Sequence, residues 1–439
     1  MPESPRTSPL GRHADVRVSN VDKKTVAAEQ PVRLCNYMDA YTSAYLDGKR
    51  DYMVASATRP EITRFGLKPG DVVITKDSET PDDIGIAAVV DDVNGPLPLV
   101  CGYHLAILRS ESINPVFLAK QLAHARLKAY FGKMATGSTR YGLSNRAITN
   151  TPLFLLPRGE QDRIEVILRT LDAAIRKTEE VIAKLQQMKQ GLLHDLLTRG
   201  IDENGELRDP VRHPGQFKES ALGRIPRAWD VRPIGSLLGN VSPAMRSGPF
   251  GSALLKSELA DSGVPLLGID NVHVERFVGI YTRFVPASKA AALSRYRVRP
   301  RDVMITIMGT VGRCCVVPDD VGHALSSKHV WTVTFDNAAY SPYLACAQLN
   351  HAPWCLRHLG RDQQGGIMAA IRSETLRTMP LPLPPRAEQE QMEETLVAAD
   401  RRICDEQEYC AKSKLLKHGL MHDLLTGRVR VRVEGEGAA

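Results

Sequence analysis

At 439 residues the chain is too long for a single compact core and suits two domains of ordinary size with connecting segments. Lysine and arginine number 57 against 50 acidic residues, and the net charge of +7 fits a protein that follows phosphates as well as an ordinary basic protein. No apolar run approaches the roughly 18 residues of a membrane helix, and residues 1–30 hold no apolar segment of a signal peptide, so we expect neither and predict a flexible N-terminus there.

The eight cysteines form no C-x-x-C pair and no zinc-like spacing with histidine. We therefore expect reduced thiols, no metal site and a cytoplasmic location.

Short β-rich runs separated by Gly, Pro and Asp predict strands in two globular parts, residues 31–157 and 220–385. The clearest runs are Asp71–Thr75, Ile86–Val90, Leu105–Leu108, Asp302–Ile307 and Val330–Val333. Helical stretches come late in each part, at Pro115–Phe131 and Pro342–Leu359, so the predicted fold class is α+β.

A long helix is predicted after each globular part, over residues 158–200 and 386–428, because the two segments are copies of one unit. Pro157–Thr198 aligns with Pro385–Thr426 without a gap, at an offset of 385 − 157 = 228, and 19 of the 42 aligned residues are identical. Pro69–Thr75 likewise resembles Pro300–Thr306. The chain therefore consists of two halves, each a globular part followed by a helix.

Apolar residues recur in both helices at alternating steps of four and three, the period of a coiled-coil seam. The seam positions of the first copy are Ile164, Leu168, Leu171, Ile175, Thr178, Ile182, Leu185, Lys189, Leu192 and Leu196, and those of the second are Met392, Leu396, Ala399, Ile403, Glu406, Cys410, Ser413, Lys417, Leu420 and Leu424. The two copies are expected to pack on each other. About 37 helical residues span roughly 55 Å, which exceeds the roughly 34 Å of one DNA turn. Each helix is therefore long enough to be a spacer between two DNA contacts.

Several short motifs and their duplicated order resemble the specificity subunits of Type I restriction-modification systems. They are Pro157-x-x-Glu160-Gln161, Leu171-Asp172, Gly191–Thr198 with its copy Gly419–Thr426, Ser220–Trp229, Gly248–Ser252 and Leu381–Pro385. The first globular part lacks an opening like Leu222–Trp229, and its Lys76–Glu79 stands where the second part has the Gly-rich Ile307–Gly312. The two parts are therefore expected to read different half-sites.

The resemblance implies two target-recognition domains, 31–157 and 220–385, that read a bipartite double-stranded DNA target. The helices 158–200 and 386–428 would pack as an antiparallel coiled coil in a pseudo-twofold arrangement, with a linker at 201–219 and a flexible tail at 429–439. It also implies two methyltransferase subunits and, through them, restriction-translocase subunits as partners. S-adenosylmethionine, ATP and magnesium would act in those subunits, directing adenine methylation or restriction, with no cofactor and no catalytic residue in this chain.

Arg and Lys can bond guanine, Asn and Gln can bond adenine, and backbone N–H groups of Gly, Ser and Thr loops can hold phosphates. The DNA-binding candidates chosen for this chemistry are Ser43, Tyr45, Lys49, Arg50, Gly137, Ser138, Thr139, Arg140 and Tyr141 in the first part, and Arg246, Gly248, Gly251, Ser252, Lys256, Arg313, Ser326, Ser327, Lys328, Gln363 and Gln364 in the second. The resemblance gives as partner-binding candidates Gln161, Lys189, Gly191, His194, Asp195, Gln389, Lys417, Gly419, His422 and Asp423.

Other interpretations of these motifs stay open. The His194-Asp195 pair could serve acid-base chemistry, but adjacent helical residues point about 100° apart, which favours docking. The Gly309–Gly312 loop lacks the Lys-Ser/Thr of a nucleotide-binding loop and is a plain turn or a DNA contact. The stretch Arg295–Arg299 either follows phosphates or forms a solvated strand face.

Two other classes compete with a non-catalytic DNA reader. One is a self-contained nuclease or methyltransferase. The sequence argues against it because it contains neither an Asn/Asp-Pro-Pro-Tyr/Phe motif nor a phosphate-binding loop. The other is a coiled-coil scaffold with no DNA role, which would show no dependence of DNA affinity on salt.

Overall fold

The computed structural model describes the backbone of residues 7–363 and 371–432 and the side chains of 7–360 and 371–432. The chain divides into two compact units: Met1–Glu180 with Gln407–Ala439, and Val181–Glu406. Each unit contains strands and helices, so the coarse α+β prediction is confirmed. All eight cysteines are free.

In its described residues, 7–180 and 407–432, the first unit combines twelve strands with five short helices and parts of the two long ones. The strands are β1 (Thr7–Pro9), β2 (Asp15–Val18), β3 (Gln30–Cys35), β4 (Tyr45–Leu46), β5 (Met53–Ala57), β6 (Val72–Thr75), β7 (Asp77–Ser78), β8 (Ala87–Val90), β9 (Leu99–Cys101), β10 (Leu105–Arg109), β11 (Tyr141–Gly142) and β12 (Pro152–Phe154). The helices are α1 (Tyr37–Thr42), α2 (Arg59–Phe65), α3 (Pro115–Leu122), α4 (Ala125–Met134) and α5 (Asn145–Thr149).

The five-stranded sheet β2-β10-β6-β8-β4 has a hydrophobic core on each face. Val72 and Ile74 of β6 pack in one cluster with α3 and α4, whereas Val73 belongs to a second cluster with the three-stranded sheet β5-β3-β9. Because both faces are covered, β6 is a continuous apolar run in the sequence instead of an alternating one.

The long helix α6 (Arg158–Arg199) begins in the first unit and ends in the second. The strands of the second unit are β13 (Phe217–Ser220), β14 (Gly223–Pro226), β15 (Asp230–Pro233), β16 (Met245–Ser247), β17 (Val264–Leu267), β18 (Val272–His273), β19 (Arg276–Phe277), β20 (Phe284–Val285), β21 (Arg297–Val298), β22 (Val303–Thr306), β23 (Cys314–Val316), β24 (Ala324–Ser326), β25 (Val330–Val333) and β26 (Pro380–Leu383). Its helices are α7 (Ala287–Ala292), α8 (Pro342–His351), α9 (Pro353–Gln363), α10 (Ser373–Thr378) and the start of α11 (Arg386–Leu425).

The second unit repeats the strand pairing of the first. β22 pairs antiparallel with β25 and β23, as β6 pairs with β10 and β8, and β17 pairs in parallel with β24, as β3 pairs with β9. Val303 and Ile305 pack in one cluster with α8, and Met304 packs in the other cluster with β17 and β24. The duplicated sequence thus folds into the same sheet core twice.

The two long helices bury the predicted seam. In both copies all the seam positions are buried or half-buried, including the polar Thr178 and Lys417. Within the first unit the helices run antiparallel, because Asp172 meets Lys417 and Glu179, further along α6, meets Lys414. Within the second unit Lys189 likewise meets Asp400, and Glu388 accepts a hydrogen bond from the backbone just after α6.

The structure departs from the predicted boundaries at both ends of the chain and in the linker. Residues 7–18, expected to be flexible, form β1 and β2, which pair with β12 and β10 and bury Leu10. In the predicted tail, Arg430 forms an ion pair with Glu160. The second globular part begins with β13 at Phe217, inside the predicted linker 201–219.

Each late helical stretch is broken in two. The predicted helix Pro115–Phe131 becomes α3 and α4, with a break at 123–124, and Pro342–Leu359 becomes α8 and α9, with a break at Ala352 before Pro353. Pro353 explains the second break, because the ring of a proline disfavours the helical conformation in the residue that precedes it, here Ala352. In the described part of the chain, none of the helices has the length and apolar character needed to cross a membrane.

Candidate nucleic-acid interface and helix surface

In the first unit, the end of β6 and the start of β10 bring Lys76 and His104 together. The backbone N–H of Lys76 donates to the carbonyl of His104 at 2.9 Å. Both side chains contact Asp77: Lys76 through an ion pair, and His104 with its Nδ1 3.3 Å from the Asp77 Oδ2. Burial lowers the pKa of His104, and Arg140 and Lys76 act in the same direction against the opposing effect of Asp77. A neutral imidazole offers one donor and one acceptor.

The predicted loop 137–141 lies at the same end of this sheet because β11 pairs with β7. Gly137 has a φ of 140°, and a Cβ there would lie 2.0 Å from the carbonyl oxygen of Arg140, so the turn requires glycine. Arg140 is exposed and, with His104, lines a cleft of about 450 Å³ that also includes Tyr37 and Tyr41. The two tyrosine rings are stacked with centroids 5.5 Å apart.

In the second unit, five predicted positions meet at the equivalent end of the sheet. Gly248 follows β16, Ser326 ends β24, Ser327 and Lys328 precede β25, and Arg313 precedes β23. The N–H of Gly248 donates to the carbonyl of Ser327 at 3.1 Å. A Cβ on Gly248 would lie 2.0 Å from the Ser326 carbonyl oxygen, so this close backbone approach requires glycine.

The serines and the lysine at this end differ in exposure. Ser326 is buried, with its hydroxyl accepting from Thr332 at 2.8 Å, and Ser327 is buried with a hydroxyl that has no hydrogen-bond partner among the described residues. Lys328 is exposed. The serines therefore shape the backbone, and the lysine is the group available to a phosphate or a base.

His329 occupies the position of His104. The N–H of Ile307, just past β22, donates to the His329 carbonyl at 2.9 Å, as Lys76 does to His104. Burial, then Lys328 and Arg283, lower the pKa of His329. Sequence reasoning missed both histidines, together with Lys76 and Arg283; the available signal was a histidine directly before each repeated strand, His104-Leu105 and His329-Val330.

The loop after β16 carries three more predicted residues of the second unit. Gly251, with a φ of 57°, Ser252 and Lys256 are exposed. They follow Phe250, whose side chain is 60% exposed. Gln364 and the side chain of Gln363 lie outside the described residues.

Five predicted DNA-binding residues lie away from these sheet ends or are engaged within the chain. Arg246 is 3% exposed, forms an ion pair with Asp302 and donates to the Arg297 carbonyl, so it holds the interior together. The other four residues lie in the first unit, in the segment 43–50 that follows α1. Ser43 donates to the Tyr45 carbonyl, the Tyr45 hydroxyl donates to Asp172 of α6, Arg50 pairs with Asp39, and Lys49 is exposed.

Four of the predicted partner-binding residues are engaged between the helices and the globular parts. Gln161 accepts a hydrogen bond from the Asn114 N–H at the start of α3 and donates to the Leu156 carbonyl. Gln389 does the same with Ser341 and Pro384 at α8. Both glutamines are buried, and so is Lys189, whereas Lys417 is half-buried.

The other six partner-binding candidates lie near the C-terminal ends of the helices, where the surface is more open. Gly191, His194, Gly419 and His422 are exposed; Asp195 pairs with Arg199, and Asp423 with Arg428. A groove of about 210 Å³ lies beside His194, between the end of α6 and the start of α9, and includes Trp354. In the first unit, His422 Nδ1 lies 3.4 Å from Nε2 of His124, which precedes α4. Burial and His422 lower the pKa of His124.

Comparison with known proteins supports the resemblance found in the motifs. No family model matches the sequence. The chain is 25% identical over 390 residues to a chain of Methanocaldococcus jannaschii that carries the name of the MjaX type I restriction enzyme specificity subunit, covering 86% of this chain and 83% of that protein. It is also 25% identical over 316 residues to the MjaVIII type I restriction enzyme specificity subunit of the same organism, covering 70% and 69%.

Solved structures share the fold across nearly the whole chain. The S subunit of a type I restriction-modification system from M. genitalium superposes with a TM-score of 0.57 at 12% identity, covering 97% of each chain. A chain solved in work on complex assembly and conformational transition of the type I restriction-modification system gives 0.54 at 15% identity, covering 98% of this chain and 99% of that one. The resemblance predicted from the duplicated motifs is confirmed.

Proposed function

We propose that this chain, which resembles type I specificity subunits along nearly its whole length, is the DNA-reading subunit of a type I restriction-modification complex and recognises a bipartite target. The observation that carries the proposal is that the similarity spans both units. A resemblance confined to one unit would fit a single DNA-binding domain equally well, whereas a reader of two half-sites needs both.

The chemistry at the two sheet ends suits base reading. Each end presents a half-buried histidine with a lowered pKa beside exposed cations, Arg140 in the first unit and Lys328 in the second. A neutral imidazole can donate to or accept from a base edge, and the cations can bond guanine or phosphate. The rest of each lining differs, since the first unit adds Asp77 and stacked tyrosines and the second adds Arg283 and Phe250, so the two half-sites have different sequences.

The long helices set the distance between the two half-sites. We propose that they pack as an antiparallel coiled coil that relates the units by a pseudo-twofold axis. The pairs Asp172–Lys417 and Asp400–Lys189, each at 2.6 Å and related by the 228-residue repeat, support this arrangement because each helix supplies one acid and one base.

Catalysis belongs to the partner subunits in this proposal. Two methyltransferase subunits dock near the exposed His194 and His422 and use S-adenosylmethionine to methylate adenine, and restriction subunits that use ATP and magnesium join through them. The chain acts in the cytoplasm and contributes recognition alone.

Methylation of genomic DNA in a reconstituted system tests the proposal. The chain, the methyltransferase subunit of the same system and S-adenosylmethionine are combined, and modified adenines are mapped by sequencing. We expect methylation at one motif with a fixed gap, lost when either protein is omitted, and a DNA affinity that falls as salt rises. Methylation or cleavage by the chain alone, or a continuous motif without a gap, would contradict the proposal.

A further inference from the structure

In each unit an aspartate of one long helix pairs with a lysine of the other. The globular part of the second unit adds an acidic side chain to this pair, whereas the globular part of the first unit adds a basic one. In the second unit Lys189 contacts Asp400 and also Glu275, both at 2.6 Å. Nε2 of His351 lies 3.3 Å from the other oxygen of Glu275. One lysine therefore faces two carboxylates, and its side chain is only 8% exposed.

In the first unit the acid, not the base, receives the extra partner. Asp172 contacts Lys417 at 2.6 Å and Lys120 at 2.5 Å. In the described part of the chain Lys417 contacts a single carboxylate, and its side chain is 28% exposed against 8% for the equivalent Lys189. Arg176 adds positive charge over the Tyr45 ring, 5.3 Å from its centroid.

One segment explains why Lys417 lacks the second carboxylate that Lys189 has. Glu275 lies between β18 and β19, and its N–H donates at 2.9 Å to the carbonyl of Cys314 in β23. In the first unit the segment beside the equivalent strand β8 is Ser43-Ala44, with the Ala44 carbonyl accepting from Val89 at 2.9 Å. These small uncharged residues leave a pocket of about 550 Å³. Its lining includes the cations Arg176, Lys414 and Lys417 and the carboxylates Asp172 and Glu179, of which Glu179 pairs with Lys414 at 2.7 Å.

We propose that this pocket binds an acidic side chain of the methyltransferase subunit, which meets Lys417 as Glu275 meets Lys189. This inference rests on the proposed function. A carboxylate on a peptide is favoured over a DNA phosphate because in the second unit a glutamate at a hairpin tip meets the equivalent lysine, Lys189, and because Ile175 and Met421 give the pocket apolar walls. The two methyltransferase copies then bind inequivalently, since Glu275 already closes the second site.

The substitution Ala44→Glu tests the pocket by supplying the carboxylate from within the chain. Ala44 is exposed and lines the pocket, so the glutamate fills it without disturbing the core. Lys414→Glu reverses a charge at the rim, and Lys412→Glu, two residues away and outside the lining, is the matched control. Affinity of each full-length variant for the methyltransferase subunit, and for a duplex containing the target, is measured by titration at low and high salt.

We expect Ala44→Glu and Lys414→Glu to weaken methyltransferase binding at least about tenfold at low salt, and Lys412→Glu to change it less than about twofold. The melting temperature should stay unchanged in Ala44→Glu and fall in Lys414→Glu, because the latter loses the ion pair of Lys414 with Glu179. Unchanged methyltransferase affinity in both pocket variants overturns the proposal. Loss of duplex affinity alone would assign the pocket to a DNA phosphate and also overturn it. Failure of the unsubstituted chain to bind methyltransferase or duplex would instead refute the proposed function.

Discussion

Replacing each of the duplicated seam lysines by methionine should destabilise the two units to different extents. Methionine keeps the apolar stem and removes the charge. Lys189→Met leaves Glu275 and Asp400, with side chains 14% and 37% exposed, without their shared cation, although Glu275 keeps His351 and Asp400 keeps the Tyr343 hydroxyl. Breaking a buried pair in this way costs about 3–5 kcal/mol, and the partial exposure of Asp400 places the expected loss near about 3 kcal/mol.

Lys417→Met is the internal control. Asp172 keeps Lys120 and the Tyr45 hydroxyl, and the Lys417 side chain is already 28% exposed, so the expected loss is about 1 kcal/mol. For units of this size, about 1 kcal/mol lowers the melting temperature by about 2–4 °C. The two variants should therefore differ by several degrees although they remove the same charge from equivalent positions.

The two units can be followed separately. The three tryptophans, Trp229, Trp331 and Trp354, all lie in the second unit, so tryptophan fluorescence during heating reports the effect of Lys189→Met. Amide hydrogen exchange reports the first unit. Equal losses in the two variants, or a loss below about 1 kcal/mol for Lys189→Met, would refute the reasoning that burial and the second carboxylate make Lys189 indispensable.

The loss of stability caused by Lys189→Met should also depend on pH. Although burial opposes it, contacts with His351 and Lys189 hold the pKa of Glu275 below its ordinary value. A carboxyl with a lowered pKa contributes stability above its unfolded pKa of about 4.3, and this stability is lost as the pH falls through the folded value. The difference between the parent chain and Lys189→Met should therefore be full near neutral pH and shrink below about pH 4.

Three further predictions concern the sheet ends and the histidine pair. Lys328→Ala should weaken duplex binding and reduce the slope of log affinity against log salt by about one, while Lys412→Ala leaves the slope unchanged; equal slopes in both variants would exclude a phosphate contact. Gly248→Ala should destabilise the second unit by about 1–3 kcal/mol because its Cβ meets the Ser326 carbonyl, and an unaltered fluorescence melting curve would show that the backbone yields freely. Because burial lowers the pKa of His124, the unfolded state binds its proton more readily, so protection of the first unit against hydrogen exchange should fall as the pH drops below about 6.5, less so in His124→Gln; identical pH profiles would contradict this assignment.

Local patterns predicted the elements of this fold well. The strand Val330–Val333 has the predicted bounds, and Asp71–Thr75 and Asp302–Ile307 differ from β6 and β22 by a residue or two at the ends. These elements could be predicted because strand and seam burial depend on residue spacing, which the sequence displays directly. The predicted flexible start failed because β1 and β2 are ordered by pairing with strands far along the chain.

The candidate site was predicted only in part. The loop 137–141 and the group around Lys328 reached the sheet ends, but Arg246 turned inward to Asp302 and Tyr45 turned to Asp172. The sequence shows the same arginine or tyrosine whether its side chain bonds DNA or a buried carboxylate. Only the position of a distant acid decides which of the two it bonds.

The sequence by itself determined the duplication, the two long helices, their seam and the resemblance to type I specificity subunits, because repeats and periodicities are properties of residue order. Tertiary structure alone decided which charges meet. Lys189 and Lys417 are equivalent in sequence, yet one is closed in by Glu275 and the other borders an open pocket, because the segment packed beside Lys189 supplies a carboxylate and the segment beside Lys417 does not. Electrostatic environment depends on distances across the fold, and residue order does not contain these distances.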